Sequence, residues 1–259
     1  SPGDPWSSEL LSALPRPQPK DAIRIASLNT LQQGTADPER SKVIRQMFEL
    51  VQADAYCFNE EWKEEDFRRC CKNVLPARDK DWNIHWANTR GIASTLLLKP
   101  VELKGRNATA AIINAGDDEL AVVSVHFKCC GYAGSKEDKQ RIEQATSLVK
   151  DIESRLDSRP VVVLGDYNLV GARKPLAILE DAGFQEVLLR SPIDGSAITW
   201  RGMRADSSFW PGRLDYVTRN RAVRVVGKFT LDANQLGAIA AGNTRASDHS
   251  LLVVDNVVP

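Results

Sequence analysis

Acidic, amide and histidine side chains follow several short apolar segments of this sequence. The first is Asn29, and the second is the run of Asn59, Glu60 and Glu61. The later ones are Ser124 with His126, Asp166 with Asn168, Asp215, and Asp248 with His249. Carboxylate and amide oxygens are the ligands that Mg²⁺ and Ca²⁺ prefer, and histidines beside such a cation supply proton transfer or neutral hydrogen bonds. The set therefore predicts a site built around one hard cation.

The segments between these residues have the apolar patterns of strands and helices. Strands are predicted at residues 22–28, 54–58, 94–98, 108–113, 120–127, 160–164, 214–218, 223–231 and 251–257. Helices are predicted at about 37–51, 62–74, 135–156 and 174–182. Open sheets bind ligands where their strands end, so the polar residues are expected to meet at one sheet edge. Helices outside mixed sheets favour a layered α/β protein over a barrel with strict β-α alternation.

Each candidate also has a purely structural interpretation. Asp166 and Asn168 are typical turn residues, and Glu60 begins an acidic run of the kind that usually faces solvent. His126 lies in an apolar segment that suits a core histidine, and Asp248–His249 suits a capping pair. The order and spacing of the whole set favour chemistry, and the sequence has no Walker loop, Gly-x-Ser-x-Gly elbow or His-Glu-x-x-His motif.

Six motifs in succession resemble those of the endonuclease/exonuclease/phosphatase superfamily. They are Ile25–Asn29, Asp54–Glu60, Ser124–Phe127, Gly165–Asn168, Arg213–Val217 and Ser247–His249, and the resemblance extends from Ala22 to Val257. It implies a DNase I-like four-layer α/β sandwich, in which two mixed β-sheets pack face to face and helices cover the outside.

The resemblance also implies a metal site. The resemblance implies that Glu60 is the principal Mg²⁺ ligand and that Asn29 and Asp248 lie beside it. Mn²⁺ and Ca²⁺ are the alternative ions. One position departs from the usual motif, because the amide before Glu60 is Asn59 where Gln is common.

The remaining site residues receive catalytic roles from the same resemblance. Asp166 and Asn168 are expected to bind the phosphate and orient the attacking water. His249 is expected to act as a base or as a charge-stabilising partner, with Asp215 holding its ring. His126 is expected to donate a hydrogen bond to a phosphate oxygen. Phosphoryl transfer needs mainly positioning and charge neutralisation, which these groups supply.

The resulting hypothesis is a divalent-metal-dependent hydrolase of phosphate esters, with a phosphodiesterase or nuclease as the leading form. The alternatives are a phosphomonoesterase or phospholipase C-like enzyme of the same fold, and a catalytically inactive domain used for binding. The 34 Lys and Arg balance the 34 Asp and Glu, so a nucleic-acid substrate requires a local basic patch. The candidates for that patch are Trp200, Arg201, Arg204, Phe209, Trp210 and Arg213.

Composition limits the rest. With 42% hydrophobic and 26% charged residues, the chain is predicted to form a globular protein with one domain at 21–259 after a proline-rich leader at 1–20. No apolar run is long enough to span a bilayer, and a monomer is favoured. The five cysteines include the adjacent pairs Cys70–Cys71 and Cys129–Cys130, for which disulfides and free thiols both stay open. The leader and the paired cysteines favour an exported protein.

Overall fold

A computed structural model describes residues 18–202, 209–233 and 246–258. The strands within them are β1 (Ile23–Asn29), β2 (Ala55–Asn59), β3 (Asn83–Ala87), β4 (Arg90–Ser94), β5 (Leu97–Val101), β6 (Ala108–Ala115), β7 (Asp118–His126), β8 (Val161–Asp166), β9 (Gln185–Glu186), β10 (Asp215–Arg219), β11 (Arg224–Leu231) and β12 (Leu251–Val257). The α-helices are α1 (Pro38–Val51), α2 (Glu64–Val74), α3 (Lys136–Arg155) and α4 (Lys174–Asp181), and a short 3₁₀ helix covers Gly34–Ala36.

The strands form two mixed sheets of six strands each. Sheet I has the order β11-β12-β1-β2-β4-β3, and sheet II has the order β5-β6-β7-β8-β10-β9. One neighbouring pair in each sheet is parallel, β1 with β2 and β7 with β8, and the other neighbours are antiparallel. Parallel neighbours need a long crossover, which α1 supplies in sheet I and α3 in sheet II.

Three apolar layers hold the sheets and helices together. Strand β7 shows the alternation: Val122 lies in the layer between the two sheets, whereas Val123 and Val125 pack with α3 residues such as Leu148. A third cluster, which includes Phe48 of α1, lies between sheet I and its helices. The layers therefore run helix, sheet, sheet, helix, which confirms the four-layer sandwich expected from the sequence.

The helices begin where the sequence predicts them. The Asp37 carboxylate caps α1 by accepting hydrogen bonds from the Glu39 and Arg40 amides, both at 3.0 Å, and Pro38 occupies the first helical position. Ser135 caps α3 in the same way, accepting from the Asp138 amide at 3.2 Å. These caps satisfy amide groups that have no partner inside the helix.

The strand predicted at residues 94–98 is wrong. The chain leaves sheet I at Ser94 and enters sheet II at Leu97, so the intervening residues connect the two sheets. The Ser94 hydroxyl bends the chain there, since it accepts from the Leu96 amide at 3.0 Å and donates to the Asp54 carbonyl at 3.0 Å. Apolar pattern alone does not distinguish one strand from two strand ends that meet at a bend. The short strands β3, β4 and β9 were not predicted either.

The predicted leader lies outside the described residues except for 18–20. None of the described helices is long and apolar enough to cross a membrane.

Candidate active site

Strand register places the catalytic candidates of sheet II in one row. His126 at the end of β7 pairs with Asp166 at the end of β8, and Asp166 pairs with Asp215 at the start of β10. In sheet I, Asn29 at the end of β1 lies beside Asn59 at the end of β2, and Glu60 follows directly. Both sheets therefore deliver polar side chains to the same edge of the sandwich.

Asn29 connects the carboxylates of the two sheets. Its amide nitrogen donates to Glu60 Oε1 at 3.0 Å and to Asp166 Oδ2 at 3.1 Å. Glu60 has a left-handed backbone with φ of 63°, and its second oxygen accepts from the Gln32 amide at 2.9 Å. Because the nitrogen of Asn29 faces the carboxylates, a ligand role for its oxygen requires the amide to be turned over.

Asp166 is held from several sides and is 1% exposed. Asn168 donates its backbone amide to Oδ1 at 2.9 Å and its side-chain nitrogen to Oδ2 at 2.8 Å. Burial raises the pKa of Asp166 to about 7, and the neighbouring Asp215 carboxylate acts in the same direction, although the charge of His249 opposes them. The carboxyl group can therefore gain or lose a proton near neutral pH.

His249 and Asp215 form a buried pair. Nδ1 of His249 lies 2.8 Å from Oδ2 of Asp215, and Nε2 lies 3.8 Å from Oδ2 of Asp166. Burial by itself lowers the pKa of His249, but the Asp215 and Asp166 carboxylates outweigh it and raise the pKa to about 10. The ring is therefore held in its cationic form.

His126 has the opposite protonation. Its Nε2 lies 3.7 Å from Glu60 Oε1 and 3.6 Å from Asp166 Oδ2. Burial lowers its pKa to about 4, and the charges of Arg90 and His249 act in the same direction, whereas the Glu60 carboxylate opposes them. His126 is therefore a neutral imidazole that can donate one hydrogen bond.

Asp248 offers one oxygen to the site. Its Oδ2 accepts from the Trp200 indole nitrogen at 2.8 Å. Its Oδ1 is buried and accepts no hydrogen bond within residues 18–202, 209–233 and 246–258, although His249 Nε2 lies 3.8 Å from it. A buried carboxylate oxygen without a donor is costly, so the arrangement fits an oxygen that accepts a ligand. Trp200 was an aromatic candidate for nucleic-acid binding, and the sequence contains no sign that its partner lies 48 residues away.

Glu61 has a structural role that the sequence did not indicate. The residue is 1% exposed, so it does not belong to a solvated acidic run. Its carboxylate accepts from the Thr30 hydroxyl at 2.6 Å and from the Thr35 hydroxyl at 2.8 Å. The loop after β1 is thereby tied to the loop after β2, and Glu60 lies between these two anchored segments.

Asn59 joins the two sheets directly beneath the site. Its amide nitrogen donates to the Ser124 hydroxyl of β7 at 3.0 Å, and its oxygen accepts from the Asp166 amide at 3.4 Å. The shortened amide at this motif position therefore bridges the sandwich.

The site residues open into a cavity of about 390 Å³. One wall is polar and consists of Glu60, His126, Asp166, Asn168, Asp248 and His249. The lining also includes the apolar side chains of Leu31, Leu169, Val170, Phe209 and Trp210, and Trp210 is 92% exposed. Asp215 supports the cavity from behind through His249.

The predicted basic patch is largely engaged in ion pairs. Arg201 Nε lies 2.8 Å from Asp232 Oδ2, and Arg213 Nη2 lies 2.6 Å from Glu186 Oε1. The Arg213 guanidinium also stacks 4.3 Å from the centre of the Tyr216 ring. Arg204 lies outside the described residues. Arg201 and Arg213 thus have acidic partners already.

The donor atoms fit a hard divalent cation. Among the described residues, Asp166, Asp215 and His249 present ligand atoms within 4.8 Å of one another. His249 Nδ1 is already hydrogen-bonded to Asp215, so the partly exposed Glu60 carboxylate and Asp248 Oδ1, which accepts no hydrogen bond from the described residues, suit such a cation better.

Comparison with known proteins shows the fold. No protein-family model matches the sequence, and no curated protein sequence matches it. Solved structures that are similar over nearly the whole chain include the following three. TDP2 from D. rerio complexed with single strand DNA product has a TM-score of 0.67 and 15% identity, covering 92% of this chain and 99% of its own.

The second is an endonuclease/exonuclease/phosphatase family protein from Leptotrichia buccalis, with a TM-score of 0.66 and 14% identity over 91% of this chain and 99% of its own. The third is a variant of the 3' phosphatase NExo from Neisseria bound to product DNA hairpin, with a TM-score of 0.69 and 15% identity over 90% of this chain and 98% of its own. Identities this low establish a shared architecture and leave the reaction to the side chains.

Proposed function

We propose that this chain, whose fold is that of the endonuclease/exonuclease/phosphatase superfamily, is a divalent-metal-dependent hydrolase of phosphate esters. The leading form is a phosphodiesterase that acts on nucleic acid. The observation that carries the proposal is the convergence of a buried His249–Asp215 pair, an Asp166 carboxyl with a pKa of about 7 and an oxygen-rich set at Glu60 and Asp248 on one cavity.

Glu60 and Asp248 would hold the cation, with Asn29 beside them. Mg²⁺ is the proposed ion. Mn²⁺ and Ca²⁺ are alternatives because they also prefer oxygen ligands. When bound, such an ion neutralises charge that develops on the phosphate and lowers the pKa of a water molecule.

Asp166 is the proposed proton acceptor. In hydrolysis a water oxygen attacks phosphorus, the bond from phosphorus to the leaving oxygen breaks, and the water proton passes to the carboxylate. A pKa of about 7 suits this task, because a general base works best when its pKa is near the working pH. Asn168 fixes the carboxylate by donating to both of its oxygens.

Of the two roles expected for His249, base or charge-stabilising partner, we propose the charge-stabilising one. With a pKa raised to about 10 it is a cation, so it is suited to stabilise the negative phosphate oxygens and poorly suited to accept a proton. Asp215 sets the tautomer and orientation of the ring by its contact with Nδ1. Neutral His126 donates a hydrogen bond to another phosphate oxygen.

Nucleic acid is favoured by two of the similar structures, one complexed with single strand DNA product and one bound to a product DNA hairpin. A phosphomonoesterase is the second candidate, and one observation favours it: Arg201 and Arg213 are paired with acidic residues, which suits a substrate with one phosphate better than an extended backbone.

The test is hydrolysis of bis-p-nitrophenyl phosphate, p-nitrophenyl phosphate, a plasmid and a 3'-phosphorylated oligonucleotide, each with Mg²⁺, Mn²⁺, Ca²⁺ or EDTA. We expect metal-dependent turnover that falls about 100-fold or more in Glu60→Gln and His249→Ala. Glu65→Gln is the matched control, because Glu65 is an exposed carboxylate of the same acidic run. Preference for a diester identifies the phosphodiesterase, and preference for a monoester identifies the phosphomonoesterase. Metal binding without turnover of any substrate would favour the binding-only alternative.

A further inference from the structure

Two adjacent thiols stand at the mouth of the catalytic cavity. The Sγ atoms of Cys129 and Cys130 lie 2.8 Å apart, and the Cys130 thiol donates to the Cys129 sulfur. Both residues are exposed free cysteines, and both line the cavity that contains His126 and Asp166. Successive side chains of an extended strand point to opposite faces, so a contact between neighbouring thiols requires a special backbone.

That backbone is held in place by helix α3. Cys130 has a left-handed backbone with φ of 71°. The wholly buried Arg141 of α3 donates to the carbonyl oxygens of Lys128 at 2.9 Å and Cys130 at 2.8 Å. Gln144 of the same helix accepts from the Lys128 amide at 2.8 Å. Three hydrogen bonds from one helix therefore fix the segment that turns both thiols together.

The other adjacent pair in the chain lacks this arrangement. Cys70 and Cys71 lie on α2, where consecutive side chains diverge by about 100° around the axis. Cys71 is buried, and its thiol donates to the Arg68 carbonyl at 3.8 Å. The chain thus supplies an internal control of the same dipeptide with a different geometry.

We propose that Cys129 and Cys130 form a dithiol site for a trivalent thiophilic metalloid, with arsenic(III) as the defining chemistry. Sulfur ligands select soft centres, whereas the carboxylates that line the same cavity select hard cations, so the two sites do not compete for one ion. A centre that bonds both sulfurs gains from their proximity, because the second bond forms within one molecule.

The reaction with an organic arsenoxide requires no electron transfer. Two arsenic–sulfur bonds form, and the arsenic-bound oxygen leaves as water with the two thiol protons. Partial desolvation at the cavity wall and the contact with Cys130 raise the pKa of Cys129 to about 11, so this cysteine is a thiol at neutral pH. Each sulfur gives up its proton as its bond to arsenic forms, and both protons leave in the water molecule that carries the arsenic-bound oxygen.

Occupancy is expected to obstruct the cavity. Cys129 and Cys130 lie on the same cavity lining as the residues assigned to phosphate binding, so a group bridging the sulfurs occupies substrate space. This part rests on the proposed function, whereas binding of the metalloid does not.

The test uses phenylarsine oxide with the reduced full chain and reads the adduct by intact mass. We expect one phenylarsenic group per chain, lost in Cys129→Ser and in Cys130→Ser and retained in Cys70→Ser. A dithiol such as 2,3-dimercaptopropanol should remove the phenylarsenic group. A monothiol at the same total concentration of SH groups should not remove it. An adduct that survives in Cys129→Ser or Cys130→Ser, or that disappears in Cys70→Ser, would overturn the site.

The second measurement is hydrolysis by the adduct-bearing chain. We expect at least a tenfold loss of turnover in the wild type, recovery on removal of arsenic by the dithiol, and no effect of the reagent on Cys129→Ser. Full turnover by a chain that carries the adduct would contradict the expected obstruction of the cavity. The mass measurement would still decide whether Cys129 and Cys130 bind arsenic. Absence of turnover before arsenic treatment would count against the proposed function. The mass of the adduct would then decide, without any activity measurement, whether the dithiol site exists.

Discussion

The imidazole of His249 lies 2.8 Å from the carboxylate of Asp215, although 34 residues of sequence separate them. Asp215 begins β10, and His249 precedes β12 in the other sheet. The pair therefore joins the two sheets at the edge where the cavity opens, and it sets the charge of a histidine that lines the cavity.

The first prediction concerns this charge. In Asp215→Asn the pKa of His249 should fall from about 10 toward or below the ordinary value of 6.5, because burial remains while the largest attractive charge is lost. This pKa is measured by following the histidine NMR resonances as a function of pH in the presence of EDTA. The chain has three histidines to assign. His85 lies outside the cavity lining and should titrate unchanged.

The same shift has a consequence for stability. The folded pKa of His249 lies above the unfolded value, so the protonated pair stabilises the native state fully below about pH 6.5. That contribution is lost as the pH rises through about 10, and the loss should be smaller in Asp215→Asn. An unchanged His249 titration in the variant would contradict both statements.

The second prediction concerns Trp200. Trp200→Phe removes the indole donor from Asp248 Oδ2, which leaves the carboxylate free to rotate. Loss of a group that orients a metal ligand typically weakens metal binding about 10- to 100-fold. Mn²⁺ binding followed by electron paramagnetic resonance measures it without any need for turnover.

Trp210→Phe is the matched control for that experiment. Trp210 lines the same cavity and is 92% exposed, while the indole contact with Asp248 belongs to Trp200. Equal Mn²⁺ affinities for Trp200→Phe and the wild type would show that the indole does not orient the carboxylate.

The third prediction links the metal to stability. Mg²⁺ should raise the melting temperature of the wild type, because an ion that binds the native state stabilises it by about 2.7 kcal/mol at a hundred times its dissociation constant. Glu60→Gln should abolish most of the increase, and Glu65→Gln should keep it. A Mg²⁺ effect of the same size in Glu60→Gln would remove Glu60 from the metal site.

The fourth prediction concerns Gly165, which precedes the Asp166 carboxylate. Its φ is 132°, and a Cβ would collide with the Val125 carbonyl oxygen of β7. Gly165→Ala should therefore lower the free energy of unfolding by about 3 kcal/mol, which combines overpacking with backbone strain. Urea titration measures it.

Gly183→Ala separates the two causes. Gly183 also has a positive φ, of 89°, but a Cβ there meets open space among the described residues. This substitution should cost about 1 kcal/mol through backbone strain alone. Similar losses in the two variants would show that the contact with Val125 contributes little.

Local sequence patterns determined most of the framework. The caps at Asp37 and Ser135 and the apolar periods predicted α1 and α3, because capping and amphipathic spacing depend on residues a few positions apart. The sequence also showed that polar residues follow several buried strands, and the strand register brings His126, Asp166 and Asp215 into one row. The strand predicted across residues 94–98 was wrong because the prediction used only the local apolar pattern. Such a pattern identifies extended segments, but it does not show at which residue the chain passes from one sheet to the other.

Only the tertiary structure decided what each polar group contacts. Trp200 binds Asp248, Arg213 pairs with Glu186, and buried Glu61 joins two loops, although sequence had grouped Trp200 and Arg213 as candidates for nucleic acid. The opposite pKa shifts of His126 and His249 likewise depend on burial and on carboxylates from other strands. Charge interactions and hydrogen bonds act through space over a few ångströms, so they follow the packing of distant segments. Residue types and spacing therefore determined which groups are available, and the fold determined which of them meet.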